Sequence, residues 1–144
     1  MQNRKGYVYK VTVFGSRNTL DQHTIVDSKA ICRYLAQNKV TLVNGASQAG
    51  VMGFTSKEMK KHNGQTYGIG LYKVEPHAIK YLDDWEAYSF HYERQKRLIE
   101  LGDAYIVFTG GLGTLYEAID VHLMQFLGEI DNPLIFVGKF ANKY

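Results

Sequence analysis

A glutamate and an arginine stand beside glycine-rich segments of this sequence, and both side-chain types can act in acid–base or electrostatic catalysis. Glu117 follows Thr114 by three residues, just after the segment TGGLGT at residues 109–114. On a helix that spacing puts the carboxylate on the same face as the end of the segment. A carboxylate beside an anion site suits sugar hydroxyls, a cationic transition state or an attacking water. The alternative is a first-turn glutamate that only stabilises the helix dipole.

Glycine and small polar residues also follow two other predicted strands, at residues 15–16 and 45–53. A turn of this kind between a strand and a helix exposes backbone N–H groups at the positive end of the helix dipole, where phosphate or carboxylate binds. The segment 109–114 lacks both the lysine of a Walker A loop and the G-x-G-x-x-G spacing of dinucleotide sites. The candidate phosphate-binding residues are Gly15, Ser16, Gly45, Ala46, Ser47, Gly50, Gly110, Gly111, Gly113 and Thr114.

Arg94 lies near the start of a predicted helix, ahead of an apolar strand. Arginine can hold phosphate or polarise a leaving group, although a surface role is commoner for an isolated arginine. His91 and Tyr92 are close in sequence and could stack on a base. The histidines show no metal-ligand spacing, so we expect no metal. The single cysteine, Cys32, excludes an internal disulfide.

Strands and helices alternate along the chain, which predicts an α/β fold, a Rossmann-like three-layer sandwich with a mostly parallel sheet. In such sheets ligands bind beyond the carboxyl ends of the strands, so the three glycine-containing segments should converge on one crevice. The predicted strands are 7–14, 40–43, 66–71, 86–90, 104–108 and 134–137, and the predicted helices are 24–37, 51–62, 91–101 and 115–127. The last helix carries Leu115, Ile119, Leu123, Met124 and Leu127 on one side, and residues 72–85 read as a loop.

Size and composition are those of one globular domain, residues 1–144. Of the 144 residues, 45% are apolar and 22% are charged, and the formal charge is +3. That excess is too small and too dispersed to indicate nucleic-acid binding. No apolar run approaches the roughly 20 residues that span a bilayer, and residues 1–5 are polar, without the pattern of a signal peptide. We therefore expect a cytoplasmic protein without membrane or nucleic-acid partners.

Four segments resemble the LONELY GUY (LOG) family of cytokinin riboside 5′-monophosphate phosphoribohydrolases, formerly known as lysine decarboxylases. FTGGLGTLYE at residues 108–117 resembles the family signature P-G-G-x-G-T-x-x-E. LVNGASQAGVMG at residues 42–53 is similar to a second loop, usually G-G-G-x-x-G-L-M-G, and VFGS at residues 13–16 to the first loop. YERQ at residues 92–95 falls where the family has H-E-R-K. The resemblance runs over residues 8–137.

The resemblance implies hydrolysis of the N-glycosidic bond of a nucleoside 5′-monophosphate to a free base and ribose 5-phosphate. The substrate class is AMP or an N6-modified adenine nucleotide. Arg94 and Glu117 match the catalytic pair, and the two longer loops would hold the 5′-phosphate. Met52, His91 and Gln95 are expected to contact the base or another part of the substrate. The resemblance implies no metal or organic cofactor. It does imply a homodimer or a higher homo-oligomer.

The chain departs from the family pattern at four places. Thr109 replaces the signature proline, and Gln95 replaces the lysine after the catalytic arginine. Ala46 and Ser47 replace two glycines, which narrows or reshapes the phosphate pocket. The chain stops at Tyr144, where many relatives continue with another helix.

Three other functions stay open from the sequence. A non-catalytic binding protein, such as a molybdenum cofactor carrier or a sensor of a nucleotide-derived signal, needs the phosphate loops but not the Arg94 and Glu117 pair. A nucleoside deoxyribosyltransferase has a related fold, but its substrates lack a 5′-phosphate. Lysine decarboxylase chemistry needs a pyridoxal-binding lysine, and no loop lysine is placed for it.

Overall fold

The fold is a six-stranded sheet with helices on both faces, and every strand pairing in it is parallel. A computed structural model describes residues 6–138, so the predicted polar start (residues 1–5) and the chain end at Tyr144 lie outside the described residues. The strands are β1 (Lys10–Phe14), β2 (Thr41–Asn44), β3 (Thr66–Leu71), β4 (Asp84–Tyr88), β5 (Ala104–Phe108) and β6 (Leu134–Val137). The helices are α1 (Gln22–Gln37), α2 (Gly50–Lys61), α3 (Pro76–Ile79), α4 (His91–Leu101) and α5 (Leu112–Phe126). The predicted Rossmann-like α/β class is confirmed.

The strand order is β4-β3-β2-β1-β5-β6, so the direction in which strands are added reverses at β1. Thr12 in the middle of β1 pairs with Val43 of β2 on one side and with Tyr105 of β5 on the other. The loops after β1 and β5 therefore diverge toward opposite faces of the sheet and leave a crevice between them. Ligands of open parallel sheets bind at this position.

Two hydrophobic cores hold the layers together, one on each face of the sheet. Adjacent strand residues point to opposite faces, so Val13 packs with α1 and α2, while Phe14 packs with α4 and α5. In β5, Tyr105 and Val107 lie on the second face and Ile106 and Phe108 on the first. All five residues of β5 are buried, as expected for a central parallel strand covered by helices.

Most predicted boundaries agree with the structure within two or three residues, and the differences have local causes. Residues 72–85 contain the short helix α3, which begins at Pro76, a residue whose fixed φ suits the first helical turn. β4 ends at Tyr88 rather than residue 90, because Phe90 is the extended residue that precedes α4. Helix α5 begins at Leu112 rather than residue 115, so the end of the glycine-rich segment forms its first turn.

The prediction that placed Leu115, Ile119, Leu123, Met124 and Leu127 on one side of the last helix did not identify its packed face. The residues of α5 that are buried are Thr114, Ala118 and Val121. Ile119 and Leu123 are at least half exposed. No helix within residues 6–138 has the length and apolar character needed to cross a membrane.

Candidate functional site

A cavity of about 620 Å³ opens at the carboxyl edge of the sheet, between the loops after β1, β2 and β3 and the first turns of α4 and α5. Most of the residues selected from the sequence line it, as the convergence of the glycine-containing segments predicted. The selected residues that line the cavity are Gly15, Ser16, Gly45, Ala46, Ser47, Met52, His91, Arg94, Gln95, Gly111, Gly113, Thr114 and Glu117.

Gly50 and Gly110 were also selected, but they do not line the cavity; they let its walls approach one another. A Cβ on Gly50, whose φ is +57°, would lie 1.9 Å from the Ser16 carbonyl oxygen. A Cβ on Gly110 would lie 2.1 Å from Thr114 Oγ1 and 2.9 Å from the Ser16 backbone nitrogen. Both glycines therefore pack against the loop after β1, and a direct contact of either with phosphate stays a prediction.

The N-terminus of α5 has the features of an anion site. Gly111 precedes the helix in an extended conformation, no side chain of residues 6–138 caps the terminus, and no acidic residue lies in the first turn. Among residues 6–138, a Cβ on Gly111 or Gly113 would meet no heavy atom within 4 Å, so a ligand could approach both Cα atoms closely. The first N–H groups of a helix lack intrahelical acceptors, and the dipole there favours negative charge.

The loop after β2 is held by a buried asparagine that the sequence analysis did not select. The side chain of Asn44 donates from Nδ2 to the Met52 carbonyl at 3.0 Å and to Ser56 Oγ at 2.8 Å, and its Oδ1 accepts from the Ala46 N–H at 3.0 Å. Ala46 has a φ of +57°, a conformation that favours glycine. Asn44 thus fixes the loop in a shape for which alanine is a strained choice.

Arg94 reaches from the first turn of α4 to the backbone of two strands. Its Nε donates to the Ile69 carbonyl of β3 at 2.8 Å, and its Nη2 donates to the Gly45 carbonyl at 3.0 Å. Burial lowers the pKa of this guanidinium, the negative charge of Glu117 opposes the shift, and the nearby Arg17 adds to it. Within residues 6–138, Nη1 has no hydrogen-bond partner, so that edge of the guanidinium is available to a ligand.

Glu117 reaches the cavity from the second turn of α5, on the other side of the crevice. Burial raises the pKa of its carboxyl to about 7, and the positive charge on Arg94 opposes the rise. No ion pair joins the two side chains among the described residues. The site therefore holds a carboxyl group that can gain or lose a proton near neutral pH, in the electric field of a cation that it does not touch.

His91 and Gln95 connect α4 to α5 around this pair. The Gln95 side chain is buried and donates from Nε2 to Asp120 Oδ2 at 3.3 Å. The His91 ring packs edge-on against Tyr116, with 6.0 Å between ring centroids. Gln95 therefore contacts α5 directly while lining the cavity, and Met52, which is buried, lines it from α2.

Besides Val13, Phe14 and Leu71 at the ends of β1 and β3, six further cavity residues were missed by the sequence analysis. Arg17 follows the selected pair Gly15-Ser16, and that position was the available signal. The stretch from Tyr72 to Glu75 had no periodicity, so nothing marked it, although Glu75 Oε2 accepts from the Gln48 N–H at 3.2 Å and thereby joins two loops. The missed residues are Arg17, Asn18, Tyr72, Lys73, Glu75 and Tyr116. Among residues 6–138, no group of three or more His, Cys, Asp or Glu side chains could hold a metal ion.

The sequence is similar to those of two curated proteins named as phosphoribohydrolases. The chain is 28% identical over 115 residues to a cytokinin riboside 5′-monophosphate phosphoribohydrolase of Rhodococcoides fascians, an alignment with 78% of this chain and 57% of the relative. It is 32% identical over 104 residues to the protein of the same name from Mycobacterium tuberculosis, with 71% of this chain and 56% of that protein. The chain thus spans about half the length of the curated relatives it matches.

A solved structure shares the fold. The molybdenum cofactor binding protein of Rippkaea orientalis superposes with a TM-score of 0.73 at 21% identity, over 96% of this chain and 82% of that one. The LOG-type relatives confirm the resemblance carried by the glycine-rich loops. The sequence profile of the SLOG cluster4 family matches residues 8–125, and the chain therefore belongs to that family.

Proposed function

We propose that this protein hydrolyses the N-glycosidic bond of a nucleoside 5′-monophosphate, AMP or an N6-modified adenine nucleotide, to a free base and ribose 5-phosphate. The observation that carries the proposal is the environment of the Glu117 carboxyl. Its carboxyl, with a pKa raised to about 7, lies in one cavity with Arg94 and the N-terminus of α5. The names of the relatives from Rhodococcoides fascians and Mycobacterium tuberculosis support the same reaction class.

The charges along the cavity suit a nucleotide in one orientation. The 5′-phosphate binds at the N-terminus of α5, where the helix dipole and the guanidinium of Arg17 favour an anion. Glu117 lies one turn into the same helix and meets the ribose. Arg94 approaches from α4, so the base, beyond the ribose, comes near its Nη1 edge and near His91, Met52 and Gln95.

In this reaction the bond between C1′ and the base nitrogen breaks, and its electron pair leaves with the base. C1′ becomes cationic and is captured by water, which loses a proton and becomes the C1′ hydroxyl, while the departing base takes up one proton from solvent. As a carboxylate, Glu117 stabilises the cationic sugar and accepts the proton from water. Arg94 hydrogen-bonds to the departing base and lowers the energy of the charge that collects there.

The test measures the release of free base by chromatography. The purified protein is incubated with AMP and with N6-isopentenyladenosine 5′-monophosphate, with the unphosphorylated nucleosides as controls. We expect base from the monophosphates only, and at least a 100-fold lower rate for Glu117→Gln, because general acid–base groups contribute about 10²–10⁴-fold. A folded protein that releases no base from either nucleotide would remove the proposal.

A second candidate is a non-catalytic carrier or sensor of a phosphorylated, nucleotide-like ligand. Two observations favour it: the fold is shared with a molybdenum cofactor binding protein, and Arg94 already hydrogen-bonds to two backbone carbonyls. Under this hypothesis the protein binds AMP or a pterin nucleotide without turnover. Calorimetric binding together with the absence of base release would select it.

We also propose that the protein forms a homodimer through α5. One side of this helix leaves a continuous apolar stripe in solvent, within an arc of about 100° around the helix axis. Its members are Leu112, Tyr116, Ile119, Leu123, Phe126 and Leu127, which are between 44% and 84% exposed. A helix that is apolar on both sides is expected to be covered on both. Because Tyr116 also lines the cavity, a second copy packed on the stripe borders the site.

A further inference from the structure

The backbone at Tyr72 is held in a conformation that an aromatic residue rarely adopts. Its φ is +63°, and the Lys73 N–H donates to the Leu71 carbonyl at 2.7 Å, which closes a three-residue turn. The Tyr72 N–H donates to the Tyr88 carbonyl at 2.6 Å and ties the turn to the end of β4. A Cβ on Gly70 would lie 2.8 Å from Val74 Cγ2, so the chain folds back closely on this glycine.

Side-chain packing within residues 6–138 does little to offset the strain at Tyr72. The other strained positions include Lys39 and Asn63, which follow the last residues of α1 and α2, where a left-handed residue commonly ends a helix. Tyr72 ends no helix, and its side chain is 76% exposed, so it gains little by packing. Glycine or asparagine would fit this turn with less strain. We therefore expect the ring to contact a molecule other than this chain.

The position of the ring relative to the anion site indicates that use. Tyr72 lines the cavity, on the loop after β3. β3 is separated from β5 by β2 and β1, so Tyr72 and the N-terminus of α5 lie about three strand spacings, roughly 14 Å, apart along the edge of the sheet. Arg94, bonded to the carbonyls of Ile69 and Gly45, lies between them. A ligand with its phosphate on α5 that extends along this edge presents its far end to Tyr72.

We propose that Tyr72 is the platform on which the heteroaromatic base of the ligand stacks. The inference rests on the proposed nucleotide ligand and adds to it the residue that holds the base. The turn fixes the backbone of Tyr72 at the rim of the cavity before the ligand arrives, so only the side chain has to be ordered on binding. Aromatic stacking accepts any planar base, and it requires a ring at this position rather than a particular hydrogen bond.

The test compares AMP with ribose 5-phosphate, which has the phosphate and sugar but no base. Binding of each is measured by calorimetry in the Glu117→Gln background, in which AMP should be consumed at least about 100-fold more slowly. The chain that keeps Tyr72 serves as the wild type of this comparison, beside Tyr72→Phe, Tyr72→Gly and Tyr72→Asn. We expect Tyr72→Phe to bind AMP like the wild type. The glycine and asparagine variants should bind AMP about 10–100-fold more weakly and ribose 5-phosphate unchanged, with a Tm equal to or above that of the wild type.

Lys39→Gly is the matched control, because Lys39 is exposed, has a φ of +56° and does not line the cavity. It should relieve strain in the same way and leave AMP binding unchanged. Equal AMP affinity in the wild type and both ring-less variants would overturn the platform. So would an equal loss of affinity for AMP and ribose 5-phosphate. A wild-type protein that binds neither compound contradicts the proposed nucleotide function instead, which keeps the two failures distinct.

Discussion

The guanidinium of Arg94 occupies the space that a side chain on Gly45 would fill. Arg94 Nη2 donates to the Gly45 carbonyl at 3.0 Å, and a Cβ on Gly45 would lie 1.9 Å from that same nitrogen. The same Cβ on Gly45 would lie 2.7 Å from the Met52 sulfur. The loop after β2 and the first turn of α4 are therefore fitted to each other, and the glycine is required by the arginine rather than by a positive φ.

Gly45→Ala should consequently impair the function of Arg94 without changing that residue. The methyl group displaces the guanidinium, and the hydrogen bonds to Gly45 and Ile69 weaken, each worth about 1.5–3 kcal/mol when the donor is charged. We expect base release from AMP to fall at least 10-fold. Gly64→Ala is the control, since its Cβ would lie 2.6 Å from Met59 Cε, away from the cavity. It should lower Tm but keep the rate, and wild-type rates in Gly45→Ala would contradict a role for the position of Arg94.

Glu117→Gln should stabilise the folded protein at neutral pH. The pKa of this carboxyl is raised from 4.5 in the unfolded chain to about 7 in the folded protein, so the folded state binds the proton more tightly. Below about pH 4.5 both states are protonated and nothing is lost. Stability falls as the pH rises from 4.5 to 7 and stays reduced above 7, by roughly 3 kcal/mol. Glutamine has no such cost.

The measurement is urea unfolding of both proteins between pH 4 and pH 8. The difference in unfolding free energy should be small at pH 4, grow toward pH 7 and then level off. Taking the difference removes the other titrating groups, which both proteins share. Parallel curves over this range would show that the carboxyl is not desolvated. Base release by the wild type should rise through about pH 7, because the mechanism needs the carboxylate.

The sequence allowed the fold class and the location of the site to be predicted, because parallel strands place their following loops at one edge. The properties that depend on tertiary packing could not be predicted. Glu117 was selected as catalytic, but the alternative of a helix-dipole glutamate stayed open because its burial beside Arg94 depends on tertiary packing. The packed side of α5 was mistaken because Leu112, Ile119 and Leu123 lie on its exposed side, while the smaller Thr114 and Ala118 are buried. Tyr72 lies where no periodic pattern exists.

Ser28→Ala should stabilise the protein by about 1 kcal/mol. Ser28 lies in α1 with no exposed surface, and its Oγ has no hydrogen-bond partner in the described part of the chain, residues 6–138. An unpaired buried hydroxyl is costly, and alanine removes it without leaving a large void. Thr12→Val gives the opposite case, because the Thr12 hydroxyl donates to the Leu98 carbonyl at 2.7 Å and its loss leaves that acceptor unpaired. Thermal unfolding should show Tm changes of opposite sign, and a lower Tm for Ser28→Ala would contradict this account.

Charge placed on the exposed stripe of α5 should separate the proposed dimer. Ile119 and Phe126 are 57% and 82% exposed and lie on the stripe, so Ile119→Glu and Phe126→Glu put carboxylates where two copies would meet. In sedimentation velocity the wild type should have twice the 16.4 kDa chain mass and each variant the mass of one chain. Val26→Glu changes a residue 55% exposed on α1, across the sheet, and should stay dimeric. Because Tyr116 joins the stripe to the cavity, the monomeric variants should also bind AMP more weakly, whereas a monomeric wild type would leave the stripe to another partner.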